Sequence, residues 1–373
     1  MRVAVVTHLF PSADAPGRGT FVLEQVKALS CRAEVTVVVP WAANRIANDL
    51  RGVHVIGLGM REPKPATGRL GYMWWAYRYR RHLLSAMQEL AGNFDVIHAH
   101  FAFPDGTICA DLASASHTPF VVTLHGSDVS QIVCAKSALG GFVRRKLAGA
   151  SALICVSEKM KNEVLCAYSA SVPRVLTVRN GYDESLFCVA VDRRVPDVLF
   201  VGALREVKQP NLLIEAFAML AASHSGRLHM VGDGPMRGTL ENMVRHLGLT
   251  ERVCFHGQVT RERVATMMKE SHVVVLPSRR EGMPMVVIEA LACGTPVVAT
   301  RVGGIAEVLR EGCGVLMSPI ASPEDIAAAL ADVLGREWDP YSVREASGAR
   351  PWSSTADDLV DVYSSVLSAG GDS

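Results

Sequence analysis

Three features of this 373-residue chain predict an α/β fold of two Rossmann-like, doubly wound domains. Short apolar runs of strand length alternate with helical stretches through both halves. The alternation breaks once, at the polar, proline-ended stretch CVAVDRRVP (Cys188–Pro196), and then restarts. Polar, glycine-bearing loops directly follow strands, which is where parallel sheets bind ligands. At roughly 150 residues per domain, the length suits two. The expected division is 1–190, 191–345, and a C-terminal helix within 346–373 that returns to the first domain.

In chain order, Arg2–Thr7 reads as a buried strand, and HLFPSADAPGRGT after it as a loop. Phe21–Leu29 has helical spacing, and Glu34–Val39 is the next strand. Gly17 and Gly19 let the first loop approach a substrate, or simply make its turn; a lone GxG does not decide. LGYMWWAYRYRRHLL (Leu70–Leu84) is a helix with aromatics and the cluster Arg78, Arg80, Arg81 and His82. Its expected arrangement is aromatics inward and arginines in water. A weak peripheral membrane surface is the other reading, and it gains if Arg144, Arg145 and Lys146 share the same face.

Phe94–Ala99 and Pro119–Leu124 are strands that run into polar residues. His98 reads as a satisfied core histidine, whereas His125 in HGSD reads as functional. Ala152–Val156 and Arg174–Val178 complete the first sheet. In the second half the strands are Val198–Val201, Arg227–Val231, Val253–His256, Val273–Leu276 and Pro296–Thr300. The last helix, Ser354–Leu367, carries one apolar stripe of Leu359, Val362, Tyr363 and Val366.

Composition narrows the function. A net charge of +1 gives no case for a nucleic-acid partner. Nine scattered cysteines without CxxC fit reduced thiols in a cytoplasmic protein. No run reaches the ~18 apolar residues of a membrane span, and MRVAVVTHLFP is too short an apolar run for a signal peptide.

The densest chemistry lies in Ser278–Glu307. Glu289 sits inside the apolar helix Met285–Cys293, so it must be paired or face a polar cleft. Glu281 stands in the loop that enters this helix. The two carboxylates either grip a polyhydroxylated ligand or serve as a first-turn acid and a core ion pair.

The segments FVGALREVK, HMVGDGPM, VCFHGQV, LPSRREGMPMVVIEALACGTPVVAT and VGGIAEV, with DVIHAH, TLHGSD, VSE and NGYD before them, resemble glycosyltransferase family four. That family comprises retaining sugar transferases with the two-domain GT-B fold, in which the domains face a cleft. Glu281 and Glu289 match its pair of glutamates with seven residues between them. The resemblance implies Glu281, His125 and Lys208 as catalytic residues, with Glu281 on the transferred sugar and Lys208 on the donor diphosphate. It implies donor contacts from Glu289 to the ribose, from the loop Gly282, Met283, Pro284, Met285 and Val286, and from Gly17 and Gly19. On the acceptor side the candidates are Asp128 and His100, polar residues at strand ends, and Arg18 in the first glycine loop. Where the family has a basic residue after the segment's glycine, this chain has Ala203, with Arg205 two positions on.

The implied partners are a nucleotide-sugar donor, with uridine diphosphate ahead of guanosine diphosphate, and a hydroxyl acceptor. No cofactor and no obligatory metal are expected, because no DxD pair lies at a strand end. A hydrolysing nucleotide-sugar 2-epimerase and a non-catalytic sugar-binding protein share the fold and are the alternatives. A nicotinamide-dependent dehydrogenase fits less well: GDGP (Gly232–Pro235) is only a partial fingerprint, and no acid closes the next strand.

Overall fold

The computed structural model describes residues 1–12, 15, 17–41, 53–61, 68–89, 93–168, 173–190 and 195–370. Parts of the first loop (13, 14 and 16) and of the predicted linker (191–194) lie outside the described residues. The chain divides into two compact units, Met1–Asn180 with Trp352–Ser373, and Gly181–Pro351. The break thus falls ahead of Cys188–Pro196, because Tyr182 already bonds within the second unit: its backbone N–H donates to Arg350 O at 2.9 Å.

In the first unit the elements run β1 (Arg2–Val6), α1 (Thr20–Ser30), β2 (Glu34–Val39), β3 (His54–Gly57), α2 (Gly68–Glu89), β4 (Val96–His100) and α3 (Thr107–Ser116). Then come β5 (Phe120–Leu124), α4 (Ala138–Leu147), β6 (Ala152–Cys155), α5 (Glu158–Ala167) and β7 (Val175–Thr177). The sheet order is β3-β2-β1-β4-β5-β6-β7, with every pairing parallel. A sheet covered on both faces requires continuous apolar strands, and β4, β5 and β6 are buried at every position.

The second unit continues with β8 (Val195–Val201), α6 (Pro210–Leu220), β9 (Leu228–Val231), α7 (Arg237–His246), β10 (Val253–Gly257), α8 (Arg261–Glu270) and β11 (Ser271–Leu276). It ends with α9 (Met285–Ala292), β12 (Val297–Thr300), α10 (Ile305–Val308), β13 (Gly314–Met317), α11 (Pro323–Leu334) and α12 (Pro340–Ala346). Its sheet order is β10-β9-β8-β11-β12-β13, again all parallel. This is the Rossmann order, in which the chain reverses direction of travel between β8 and β11. The equivalent point in the first sheet lies between β1 and β4.

The last helix, α13 (Trp352–Gly370), belongs to the first unit. The predicted stripe Leu359, Val362, Tyr363 and Val366 is buried, and α13 packs on α1. Two strands escaped the sequence reading, β3 and β13. Both are short edge strands whose residues are mostly half-buried, so neither shows a continuous apolar run.

The helix α2 corrects another expectation. Trp75 and Tyr79 are buried, but Trp74 is 62% exposed and Tyr77 56%. The aromatics do not all turn inward: at 3.6 residues per turn, adjacent Trp74 and Trp75 cannot both occupy the centre of one face.

Candidate active site

In the second unit, the loop after β8 and the loop after β11 flank the switch point. The first carries Lys208 and the second Glu281. Lys208 Nζ donates to Glu281 Oε1 at 2.5 Å. The lysine side chain keeps 22% exposure and the glutamate 9%, so the pair is accessible at one side and desolvated at the other.

Backbone contacts hold these loops. Arg279 N–H donates to Val207 O at 2.8 Å, which ties one loop to the other. Gly304 N–H donates to Gly282 O at 2.7 Å. Gly303 has φ +55°, and a Cβ there would lie 2.3 Å from Glu281 O, so only glycine fits. Likewise, a Cβ on Gly232 would lie 2.1 Å from Gly202 O, and one on Gly234 2.5 Å from Leu204 O. The β8 loop therefore rests directly on the GDGP turn.

Pro284 caps α9 in extended conformation without a side-chain cap. Its first-turn amides have no intrahelical acceptor and give that end a partial positive charge. Met283 and Val286 are buried, while Gly282 and Met285 are half-buried. About one turn along, Glu289 lies 3.8 Å from Arg261 Nη2 at the start of α8. That arginine stacks over Phe187, 5.6 Å from the ring centre. Arg205 and Ala203 are both exposed.

The carboxyl edge of the first sheet is organised differently. His98 is fully buried and bonded at both nitrogens, to Tyr363 Oη at 2.6 Å and Thr123 Oγ1 at 2.7 Å. It is a core histidine that anchors α13. His100 Nδ1 lies 2.9 Å from His125 Nε2. His125 is half-buried between the rings of Phe21 and Phe101, at 4.7 and 4.6 Å. Burial pushes the pKa values of His98 and His125 down to about 3 and that of His100 well below the ordinary value, so all three rings are neutral.

Two acceptor-side candidates are buried. His100 is fully buried, and its Nδ1 meets His125. Asp128 is also buried, and its oxygens are taken up by backbone N–H groups of its own loop and of the segment after β4. Oδ1 accepts from the N–H groups of His125, Gly126 and Val129, and Oδ2 from Ala102, at 2.9–3.1 Å. Burial raises its pKa despite those four donors.

In the β1 loop, Gly17 faces open space, whereas Gly19 (φ +69°) has its backbone against Leu9 O. Arg18 lies over Trp41, 5.5 Å from the ring centre. The sequence reading missed Asp105, which is fully buried, contacts His8 Nδ1 and accepts from Tyr79 Oη at 3.0 Å. Its only advance signal was an acid directly after FAFP in an apolar surrounding.

Two family models match end to end, "Glycosyltransferase Family 4" over residues 17–186 and "Glycosyl transferases group 1" over 187–347. The chain belongs to glycosyltransferase family four. A Bacillus subtilis protein named as teichuronic acid biosynthesis glycosyltransferase TuaC is 29% identical, over 99% of this chain and 95% of its own length. The D-inositol 3-phosphate glycosyltransferase of Geodermatophilus obscurus is 28% identical, over 94% and 85%. Among solved structures, sucrose-phosphate synthase from Thermosynechococcus elongatus aligns with TM-score 0.79 at 21% identity, over 99% of this chain and 100% of that one. Anabaena HepE in complex with UDP aligns with TM-score 0.75 at 19% identity, over 98% and 100%. These structures are GT-B glycosyltransferases, and this glycosyltransferase has their two parallel-sheet domains.

Proposed function

We propose that this glycosyltransferase moves a hexosyl or N-acetylhexosaminyl group from a nucleoside-diphosphate sugar to a hydroxyl of a glycan, glycolipid or small acceptor, with retention at the anomeric carbon. The observation that carries this reading is the Lys208–Glu281 pair at the switch point. An arriving diphosphate competes for the ammonium group. Once Lys208 turns to phosphate, Glu281 is left with acceptor oxygens that suit only hydroxyl or amide donors, as a sugar provides. The first-turn amides of α9 supply further stabilisation for the charge that grows on the leaving diphosphate. Glu289 repels phosphate and suits the ribose hydroxyls. Arg205, exposed on the same loop as Lys208, stands in for the missing basic residue at Ala203.

No second carboxylate is assigned as nucleophile. In the proposed step the sugar–phosphate C–O bond breaks, and the acceptor oxygen forms its bond on the same face. The acceptor's proton passes to the leaving diphosphate. Neutral His125 contributes a hydrogen bond near the reacting sugar rather than a charge. A uridine nucleotide is the first choice; HepE, of the same fold, has been solved with UDP and with UDP-glucose. No divalent metal is required in this scheme, so activity survives chelation.

The test is a thermal-shift panel of nucleoside diphosphates followed by kinetics, since a bound ligand raises stability by mass action. Glu281→Ala is expected to lower kcat at least about a hundredfold. Glu289→Ala is expected to act mainly on donor KM. Nucleoside diphosphate release without acceptor would instead indicate the hydrolysing epimerase. Unchanged kinetics in both variants would remove both assignments.

A further inference from the structure

The helix α2 presents an exposed face that the transfer reaction does not use. Trp74, Tyr77, Arg78 and Arg81 are spaced at three and four residues, so they share one side of the helix. Trp74 and Tyr77 are more than half exposed, and Met73 beside them is 45% exposed. A helix side turned only to water would carry polar residues at these positions. The Arg78 guanidinium lies over Trp74, 5.1 Å from the ring centre, so cation and aromatic form one patch.

The charge on this side is unbalanced. Residues 71–87 include three arginines and no Asp or Glu. Off this face, Arg80 meets Asp111 of the neighbouring helix α3, which carries two cations. Asp111 Oδ2 accepts from Arg80 Nε at 2.8 Å, and Oδ1 accepts from Lys146 Nζ at 2.5 Å. The shared carboxylate links Arg80 of α2 to Lys146 of α4 and leaves Arg78 and Arg81 to the exposed face.

We propose that this side of the first unit docks on an anionic lipid surface. Trp74, Tyr77 and Met73 enter the headgroup boundary, while Arg78 and Arg81 meet lipid phosphates. Charge complementarity selects the occupant: arginines flanking exposed aromatics on an amphipathic helix suit an interface that is apolar below and negative above. Among the described residues no helix is long and apolar enough to cross a membrane, so the contact is peripheral.

The test uses the full chain with phosphatidylcholine vesicles, with and without phosphatidylglycerol. Co-sedimentation is expected with the anionic vesicles only, together with a blue shift of tryptophan emission. Replacing Trp74 and Tyr77 by serine is expected to weaken it about tenfold. Arg78→Ser and Arg81→Ser should each weaken it about fivefold, an effect erased by high salt. All four side chains are exposed, so folding and nucleoside-diphosphate thermal shifts should stay unchanged. Docking and donor binding therefore fail or succeed separately. Three results would overturn the proposal: no sedimentation with anionic vesicles at low salt, equal sedimentation of the serine variants, or a lipid-free dimer that these variants dissolve. The last would make this side a contact between two copies.

Discussion

The two carboxyl edges reach order by opposite means. In the first unit, side chains build the edge. Asp128 gathers four backbone N–H groups, and Asp105 holds His8 and Tyr79. His98 ties β4 to α13. In the second unit the backbone builds the edge, through the close approaches at Gly232, Gly234 and Gly303 and the Arg279–Val207 and Gly304–Gly282 bonds. The consequence is chemical. Where side chains hold the loops, their polar atoms are consumed and the site that remains is neutral and aromatic around His125. Where glycines hold the loops, Lys208 and Glu281 pair with each other.

Asp128→Ala attacks the side-chain mode directly and has the largest expected effect on stability. It strands up to four amides in a buried loop, each costing about 1–3 kcal/mol unless water reaches it. A loss of about 3 kcal/mol or more is expected, read as a fall in denaturation midpoint. Asp128→Asn keeps one acceptor oxygen and should cost less. If Asp128→Ala is nearly neutral, the carboxylate does not hold the loop.

Gly303→Ala is the matching test of the backbone mode. Its Cβ would overlap Glu281 O, and φ +55° disfavours alanine as well. The strain is about 1–3 kcal/mol, but displacing Glu281 should cost turnover more, about a hundredfold. Gly17→Ala has nothing within 4 Å, so its stability should stay within about 0.5 kcal/mol. Equal effects at the two glycines would erase the contrast between a locked turn and an open one.

This contrast also explains what could be read from the sequence. Both sheets, their parallel sense and the return of the last helix followed from apolar periodicity, which burial imposes. Edge strands β3 and β13 did not, since half-buried residues carry no such pattern. Glu281 and Glu289 stood out as acids before and inside the apolar helix α9, while Lys208 was legible only through the family resemblance. His100 and Asp128 looked equally functional, as polar residues at a strand end. Their partners, His125 and the amides of residues 102, 125, 126 and 129, are set by loop conformation and strand order, which spacing does not encode. Trp74 was misread for a related reason: helical periodicity names a face, but neighbouring elements decide how wide the covered face is.

His100 offers the finest test. It has one bonded nitrogen, Nδ1, and its Nε2 is buried with no partner among the described residues. If Nε2 carried the proton, a donor would be stranded, and buried unpaired N–H groups are the rarer defect. The proton therefore sits on Nδ1 and is donated to His125 Nε2, which obliges neutral His125 to keep its own proton on Nδ1. His125 then faces its surroundings as a hydrogen-bond donor, suited to a sugar or acceptor oxygen. Nitrogen-15 spectra should show His125 as the Nδ1-protonated tautomer. Because its pKa is pushed down to about 3, the signal should not titrate between about pH 8 and 5. His100→Phe fills similar space but withdraws the donated proton, so His125 is freed to mix tautomers. The expected change is a shifted His125 spectrum and a kcat loss of about tenfold at nearly constant KM. A variant with lower stability but an unchanged His125 tautomer would reduce His100 to packing alone.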